Sequence, residues 1–484
     1  MSMSSALSSA LSGLAANSRA AGVVAANLAN VQTDGYGRRE IALSQNGNVG
    51  GGGVRVTGIT RHVDLGVLSD RRLADSELAQ TQTRARFLQE VQSSIGTPDM
   101  PGSLSGRIAA LEASFVTAAS RPEAVDRLQQ VSLRAAEVSA AFNAISDDIQ
   151  FQRTRAEEQI ESAVRGLNAD LGQVHRLNIL IQDAQREGAD PSGLLDHRQV
   201  VIDRVADMIP VREVPRDDGA VALMTPAGAF LVDSSSATFA FTRTNVIAPH
   251  MTIEGGLLSG IQINGEQVEP SGMRSPIAGG RLSAMFEVRD SLAVDAQKQV
   301  DALARDMIAR FQQPSLDATL TATDPGLFTD AGMRFDLSAE VGVAGRITLN
   351  GVVDVASGGD PRRLRDGLGA AVPGPEGDAA FLNALGDALS MGGQMSSGDL
   401  GGASGSLSAH VGSMVSQLAQ SALAEDRATS FAAVRQSGLE ERLSAEGVNS
   451  DDETARLLLI EQAYSANARM IQTLDEMMKT LLRI

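Results

Sequence analysis

Read at alternating steps of four and three, the first 31 residues place Met3, Leu7, Ala10, Leu14, Asn17, Ala21, Val24, Leu28 and Val31 on one stripe. This spacing predicts a coiled-coil helix of about four heptads. Asp34-Gly35 is the turn signal that ends it. Near the other terminus Ser450-Asp451-Asp452-Glu453 has the order of a capping box, with Ser450 to accept from the Glu453 backbone and Glu453 to reach back. The helix expected from there carries Leu457, Ile460, Tyr464, Asn467, Ile471, Leu474, Met478 and Leu481 at the same alternation. Each stripe holds one asparagine, Asn17 or Asn467, which either fixes register or faces water at a frayed end. The N-terminal stripe is rich in Ala and Ser, and such helices are marginal alone. Both termini are therefore expected to order only against partners.

Between the termini the pattern changes period. Gly47 to Arg61 reads as a flexible loop leading into a short strand pair, and helical spacing runs from Leu65 to Ile95. A long helix opens at Ser120 with Pro122 in its first turn. Its seam is Leu128, Val131, Ala135, Val138, Phe142, Ile145 and Ile149, then an 11-residue stutter to Ile160, then Leu167, Leu171, Val174 and Ile181, before Gly188 and Pro191 end it. At 1.5 Å per residue this is a rod on the order of 100 Å long. After "SGLLDHRQVVIDRVADMI" and Pro210 the period becomes two, with Asp218-Gly219 and Asn264-Gly265 as hairpin turns. Helix returns over Gly279–Gln312, a mixed Gly- and Pro-broken stretch covers 314–402, and a last helix over Ser406–Leu443 leads to the capping box.

The expected fold is mainly α with inserted β. The terminal helices pair as a coiled coil, a long helical bundle forms a rod, and β-rich structure lies outermost. The expected division is a terminal unit (1–40 plus 445–484), a rod (41–209, 279–313 and 403–444) and a β-rich outer domain (210–278 plus 314–402).

Composition narrows the function. A net charge of -18 argues against nucleic acid or anionic membrane as a principal partner, since both require a basic face. Cysteine is absent, which removes disulfides, thiolate zinc sites and cysteine nucleophiles together. The first residues lack the basic and apolar regions of a cleaved signal peptide, and no apolar run approaches membrane-spanning length. Export, if it occurs, is expected by another route.

Candidate chemistry is sparse. His62, His175, His197, His250 and His410 lie far apart without metal-ligand spacing and are expected at the surface. The glycines at 50–53 lack the Lys-Ser or Lys-Thr of a phosphate loop. Carboxylate pairs such as Asp147-Asp148 fit helix starts, exposed faces or turns. Asp196, His197 and Arg198 are consecutive on a helix, point apart, and suit ion pairs better than catalysis. No catalytic residue, cofactor or metal is expected.

"NLANVQTDGYGRR", Asn27 to Arg39, resembles the N-terminal signature of bacterial flagellar rod, hook and hook-associated proteins. "EQAYSANARMIQTLDEMMKTLL", Glu461 to Leu482, is similar to the closing helix of the same axial family. "SRPEAVDRLQQV", "LLDHRQVVIDRVADMIPVREV" and "GGRLSAMFEVRD" resemble the members that join hook to filament. The resemblance implies a non-enzymatic subunit exported through the flagellar type III apparatus without signal cleavage. Its implied partners are itself in a ring or short helical layer, the hook subunit, a second junction protein with flagellin, and an export chaperone. The region after Pro314 is short beside larger relatives, so an extra outward domain is expected to be reduced. A hook or distal rod subunit, a secreted coiled-coil effector or adhesin, and a peptidoglycan-cutting enzyme are the rival readings.

The residues expected to carry assembly are Leu7, Leu14, Asn17, Val24, Leu28, Leu457, Tyr464, Asn467, Ile471, Leu474, Met478 and Leu481, with Asn27, Asn30, Gly35 and Tyr36 at the turn. There Asn27 and Asn30 flank Leu28, their amides meeting loose carbonyls or a neighbouring subunit. Tyr36 packs its ring and keeps its hydroxyl wet. A purely local cap is the alternative.

Overall fold

The computed structural model describes residues 3–46, 52–272, 274–399 and 401–482. The chain starts with α1 (Met3–Ala29), then the antiparallel hairpin β1 (Arg38–Gln45) and β2 (Val54–His62), which lies against α1. A strand pair is present, but its first strand precedes the glycine run instead of following it, and that run lies partly outside the described residues. Next come α2 (Leu65–Ile95), α3 (Leu104–Ala119), α4 (Val125–Glu187) and α5 (Ser192–Met208). At 63 residues α4 is about 95 Å long. Every seam position expected on it is buried, on both sides of the stutter. It ends at Gly188, whose φ of 70° closes the last turn.

Three short strands, β3 (Arg212–Pro215), β4 (Val221–Met224) and β5 (Phe230–Val232), form one sheet. A second comprises β6 (Phe239–Ala240), β7 (Ile261–Ile263) and β8 (Glu266–Val268). Asn264 and Gly265 both take positive φ in the β7–β8 turn, the conformation that the Asn-Gly pair favours. The helix expected over Gly279–Gln312 is instead α6 (Gly280–Glu287), a π-helical turn over Val288–Leu292, and α7 (Ala293–Phe311). Beyond it lie β9 (Phe328–Asp330), β10 (Ile347–Leu349), α8 (Arg363–Asp366), α9 (Ala380–Ser390), β11 (Gly393–Gln394) and β12 (Ser404–Gly405), all short. The long α10 (Leu407–Glu446) and α11 (Ser450–Leu481) complete the chain.

The apolar interior forms two clusters. One is built from the ends of α2 and α10 with α3, α7, α9 and α4 as far as Ala156. The other is built from α4 beyond Ile160, α5, α6 and the sheets of 210–268. The two segments expected together as one outer domain therefore feed different clusters, because 314–402 packs on α7 and the start of α4 while 210–278 packs on its far half. One histidine departs from expectation. His410 is buried, and its Nε2 donates to the Gly393 carbonyl at 3.1 Å.

The terminal helices are both formed and are each other's principal partner. Asn27 meets Glu453, and Gly13 leaves room for Asn467, so the pair is antiparallel in register. The seam is only partly closed. Leu7, Leu14, Asn17, Ala21, Leu457, Asn467, Ile471 and Leu474 are half-buried and Val24 is buried, whereas Leu28, Val31, Tyr464, Met478 and Leu481 are exposed.

Candidate functional site: the joint between terminal helices and rod

At the end of α1 the inward stripe slips by one residue. Leu28, expected on the seam, is 38% exposed, and Asn27 takes the interior place at 0%. The reason is the company Asn27 finds there. Its Nδ2 donates to the Arg39 carbonyl (2.8 Å) and to Glu453 Oε2 (3.1 Å), and its Oδ1 accepts from the Tyr36 hydroxyl (2.9 Å) and the Arg39 amide (3.0 Å). All four hydrogen-bonding positions of a primary amide are filled, which is what makes burying it tolerable. Asn30 is the local cap. Its Nδ2 donates to the Ala26 carbonyl at 2.9 Å.

Glu453 is the residue sequence reasoning placed wrongly. It does not reach back in a capping box, because Asn449 caps α11 by accepting from Asp451 and Asp452. That frees Glu453, 1% exposed, to receive Asn27 on one oxygen and Arg38 Nε (3.1 Å) on the other. An acidic residue in the first turn is also favoured by the helix dipole. The Tyr36 hydroxyl, expected to stay wet, is likewise engaged. Burial raises the Tyr36 pKa above its ordinary value, although the Arg39 guanidinium, 4.7 Å over its ring, works the other way.

Asp196 at the start of α5 fastens this assembly to the rod. It accepts from the Gly37 amide (3.0 Å), Arg61 Nε (2.7 Å) and Arg39 Nη2 (2.6 Å). Arg61 also donates to the Gly35 carbonyl at 3.2 Å and to Gln199. Gly35 has φ +75°, and a Cβ there would come 2.5 Å from Val200 Cγ2 on α5. Both the turn and the close approach demand glycine. The three consecutive residues of α5 point apart, as their spacing required: His197 meets Gln173, and Arg198 donates to Asn178 and Gly219.

The structure thus brings Asn27, Gly35 and Tyr36 together and leaves Asn30 as a cap. Arg38, Arg39, Arg61, Asp196 and Glu453 complete the joint. Beside it lies a cavity of about 1170 Å³ bordered by Tyr36, Arg38, Gln159, Asp203, Glu440 and Val448. Among the described residues no three His, Asp or Glu side chains converge on a point that could hold a metal. Among the described residues no helix is long and apolar enough to cross a membrane. What this arrangement does chemically is to clamp the two ends of the chain, the hairpin and α5 to one another.

Paired terminal helices on a helical rod fit an axial protein of the bacterial flagellum, and family models of that class match both ends and the middle of the chain. The family models described as flagella basal body rod protein and flagellar basal body rod FlgEFG protein C-terminal match residues 7–36 and 439–484. The flagellar hook-associated protein FlgK helical domain matches residues 88–324. Along its length the chain is similar to flagellar hook-associated protein 1. The Bacillus subtilis flagellar hook-associated protein 1 is 21% identical over 98% of this chain and 96% of its own, and that of Escherichia coli 22% over the whole of both. The Salmonella typhimurium protein is 28% identical over 49% of this chain and 44% of its own. The solved flagellar hook junction protein FlgK from Burkholderia pseudomallei superposes with a TM-score of 0.43 at 17% identity, over 55% of this chain and 47% of that one. The family is structural, external and part of the flagellum, and its members associate with other flagellar components.

Proposed function

We propose that this chain is the subunit joining hook to filament, a structural protein without enzymatic activity that assembles through its terminal helices. The observation that carries this reading is the unfinished terminal pair. Leu11 on α1 and Leu458, Leu459, Met470 and Met477 on α11 are each about half-exposed or more. Leu459, Ala463, Ala466, Met470, Thr473 and Met477 fall at alternating steps of four and three, a second stripe left exposed among the described residues. Further copies in a ring or short helical layer supply the missing side, with Leu7, Leu14, Val24, Leu457, Ile471 and Leu474 holding the first seam. The hook subunit lies below, a second junction protein and then flagellin lie above, and an export chaperone covers the stripe before assembly.

A chain of low apolar content at its ends and no cysteine suits passage through the type III apparatus unfolded. Electron microscopy of cells lacking the gene tests the reading. Hooks without filaments, with filament protein released to the medium, are expected, and normal filaments would overturn it. A purified chain that polymerises alone into long tubes would point to a hook subunit.

A further inference from the structure

The two apolar clusters do not merge along α4. The first ends at Ala156 and Val288, the second begins at Ile160 and Phe286, and the level between them is charged. There the stutter of α4 puts Arg153 and Glu157 in seam positions, 1% and 0% exposed, against Arg289 at 0%. On the facing side the helix widens into the π turn Val288–Leu292 at the same level. Glu157 pairs with Arg289, and Arg289 pairs with Asp290 at 2.7 Å.

Arg153 Nε donates to the Arg289 carbonyl (2.9 Å) and its Nη1 to Gln150 (3.1 Å), and the other donors and acceptors of this layer hold one irregular strap, residues 244–259. Glu157 accepts from the Thr244 amide (2.7 Å). Arg153 donates to the carbonyls of Ala248 (3.2 Å) and Met251 (2.6 Å), and Arg289 to that of Ser259 (3.0 Å). The strap contains no helix or strand. Its conformation is therefore dictated by buried charge.

We propose that this charged layer is a built-in break in cooperativity, at which residues 160–286 open as a unit while the rest of the rod stays folded. Where a seam layer is apolar, parting it exposes hydrocarbon to water. Where it is ionic, parting it returns desolvated ions to water, and their hydration offsets the lost pairs. The continuous helix hides this boundary. α4 runs through it with its backbone ladder intact, but its side chains belong to two different interiors, which the ionic layer joins along α4 while α2 bridges them from the side by packing on α5 and α6. The larger first cluster is expected to be the more stable.

Native-state hydrogen exchange of the full chain across sub-denaturing urea tests this. Peptides from 160–181, 201–211 and 221–263 are expected to share one opening isotherm at lower urea, and peptides from 104–149 and 293–311 a second at higher urea. A single isotherm for all of them overturns the proposal. In R153M/E157M/R289M the two isotherms are expected to converge while exchange in the 244–259 strap accelerates by about tenfold, as donors to its carbonyls are lost. A folded triple variant that keeps two isotherms would overturn the role of the layer. If it does not fold, the parent isotherms decide. None of these readouts depends on incorporation into a flagellum.

Discussion

The seam of α4 and the seam of the terminal pair are written in the same heptad spacing and end in opposite conditions. From Leu128 to Ile181 every expected α4 position is buried. On the terminal pair Leu28 is 38% exposed and Leu481 61%. Periodicity alone states which side chains share a face. It does not state whether the chain itself supplies what covers that face. In the rod it does, with α3, α5, α6 and α7; at the termini it supplies one helix for another and the hairpin against α1, and leaves the outer stripe of α11 open.

Four measurements break or sharpen this contrast. The largest effect belongs to the finished seam: Phe142→Ala should cost about 3–5 kcal/mol in urea denaturation, because the surrounding aliphatic groups cannot collapse into the vacated space. Glu453→Ala, which strands Asn27 and Arg38, should cost about 1–3 kcal/mol, confined to the joint. Hydrogen exchange should rise in 20–30 and 450–457 and not in 128–149; a rise in all three would make the joint part of the rod. On the unfinished stripe, Leu459→Ser with Met470→Ser should change the stability of the isolated chain by no more than about 0.5 kcal/mol. Incorporation into flagella should nevertheless fail, and normal incorporation would count against the stripe.

The smallest effect is a titration. Tyr36 donates its proton to Asn27, and the folded state raises its pKa through burial. A raised folded value means the contribution is whole below the unfolded value of about 10 and is lost as pH climbs through the folded one. Phenolate absorbance of the parent minus that of Tyr36→Phe should show Tyr36 titrating above the ordinary range. A titration below that range would deny the buried hydrogen bond.

The sequence made the rod legible because burial there comes from one helix's own spacing. The stutter between Ile149 and Ile160 was visible as a gap in that spacing. Its occupants, Arg153 and Glu157, were not, because charged residues at seam positions read as surface until Arg289 and the strap are placed beside them. The joint was half legible. Asn27, Gly35 and Tyr36 stand close together in the chain and announce a turn. Glu453 was hidden by a local explanation, a capping box, that Asn449 one residue before Ser450 fulfils better. Asp196 reads as an ion-pairing residue from its neighbours alone, with nothing local to name Arg39 and Arg61 as its partners. Leu28 went astray since the last turn of a helix answers to the segment packed beyond it, and here a saturated amide outweighs one more leucine.

Asn27 and Glu453 stand 426 positions apart and share a hydrogen bond. The amide near the beginning of the chain cannot fill its last valence until the start of the final helix has arrived. A polypeptide arrested anywhere between them leaves Arg38 and Asn27 facing an empty place. Closure of this joint therefore waits on the far end of the chain: one carboxylate at the start of the last helix completes the hydrogen bonding of the first.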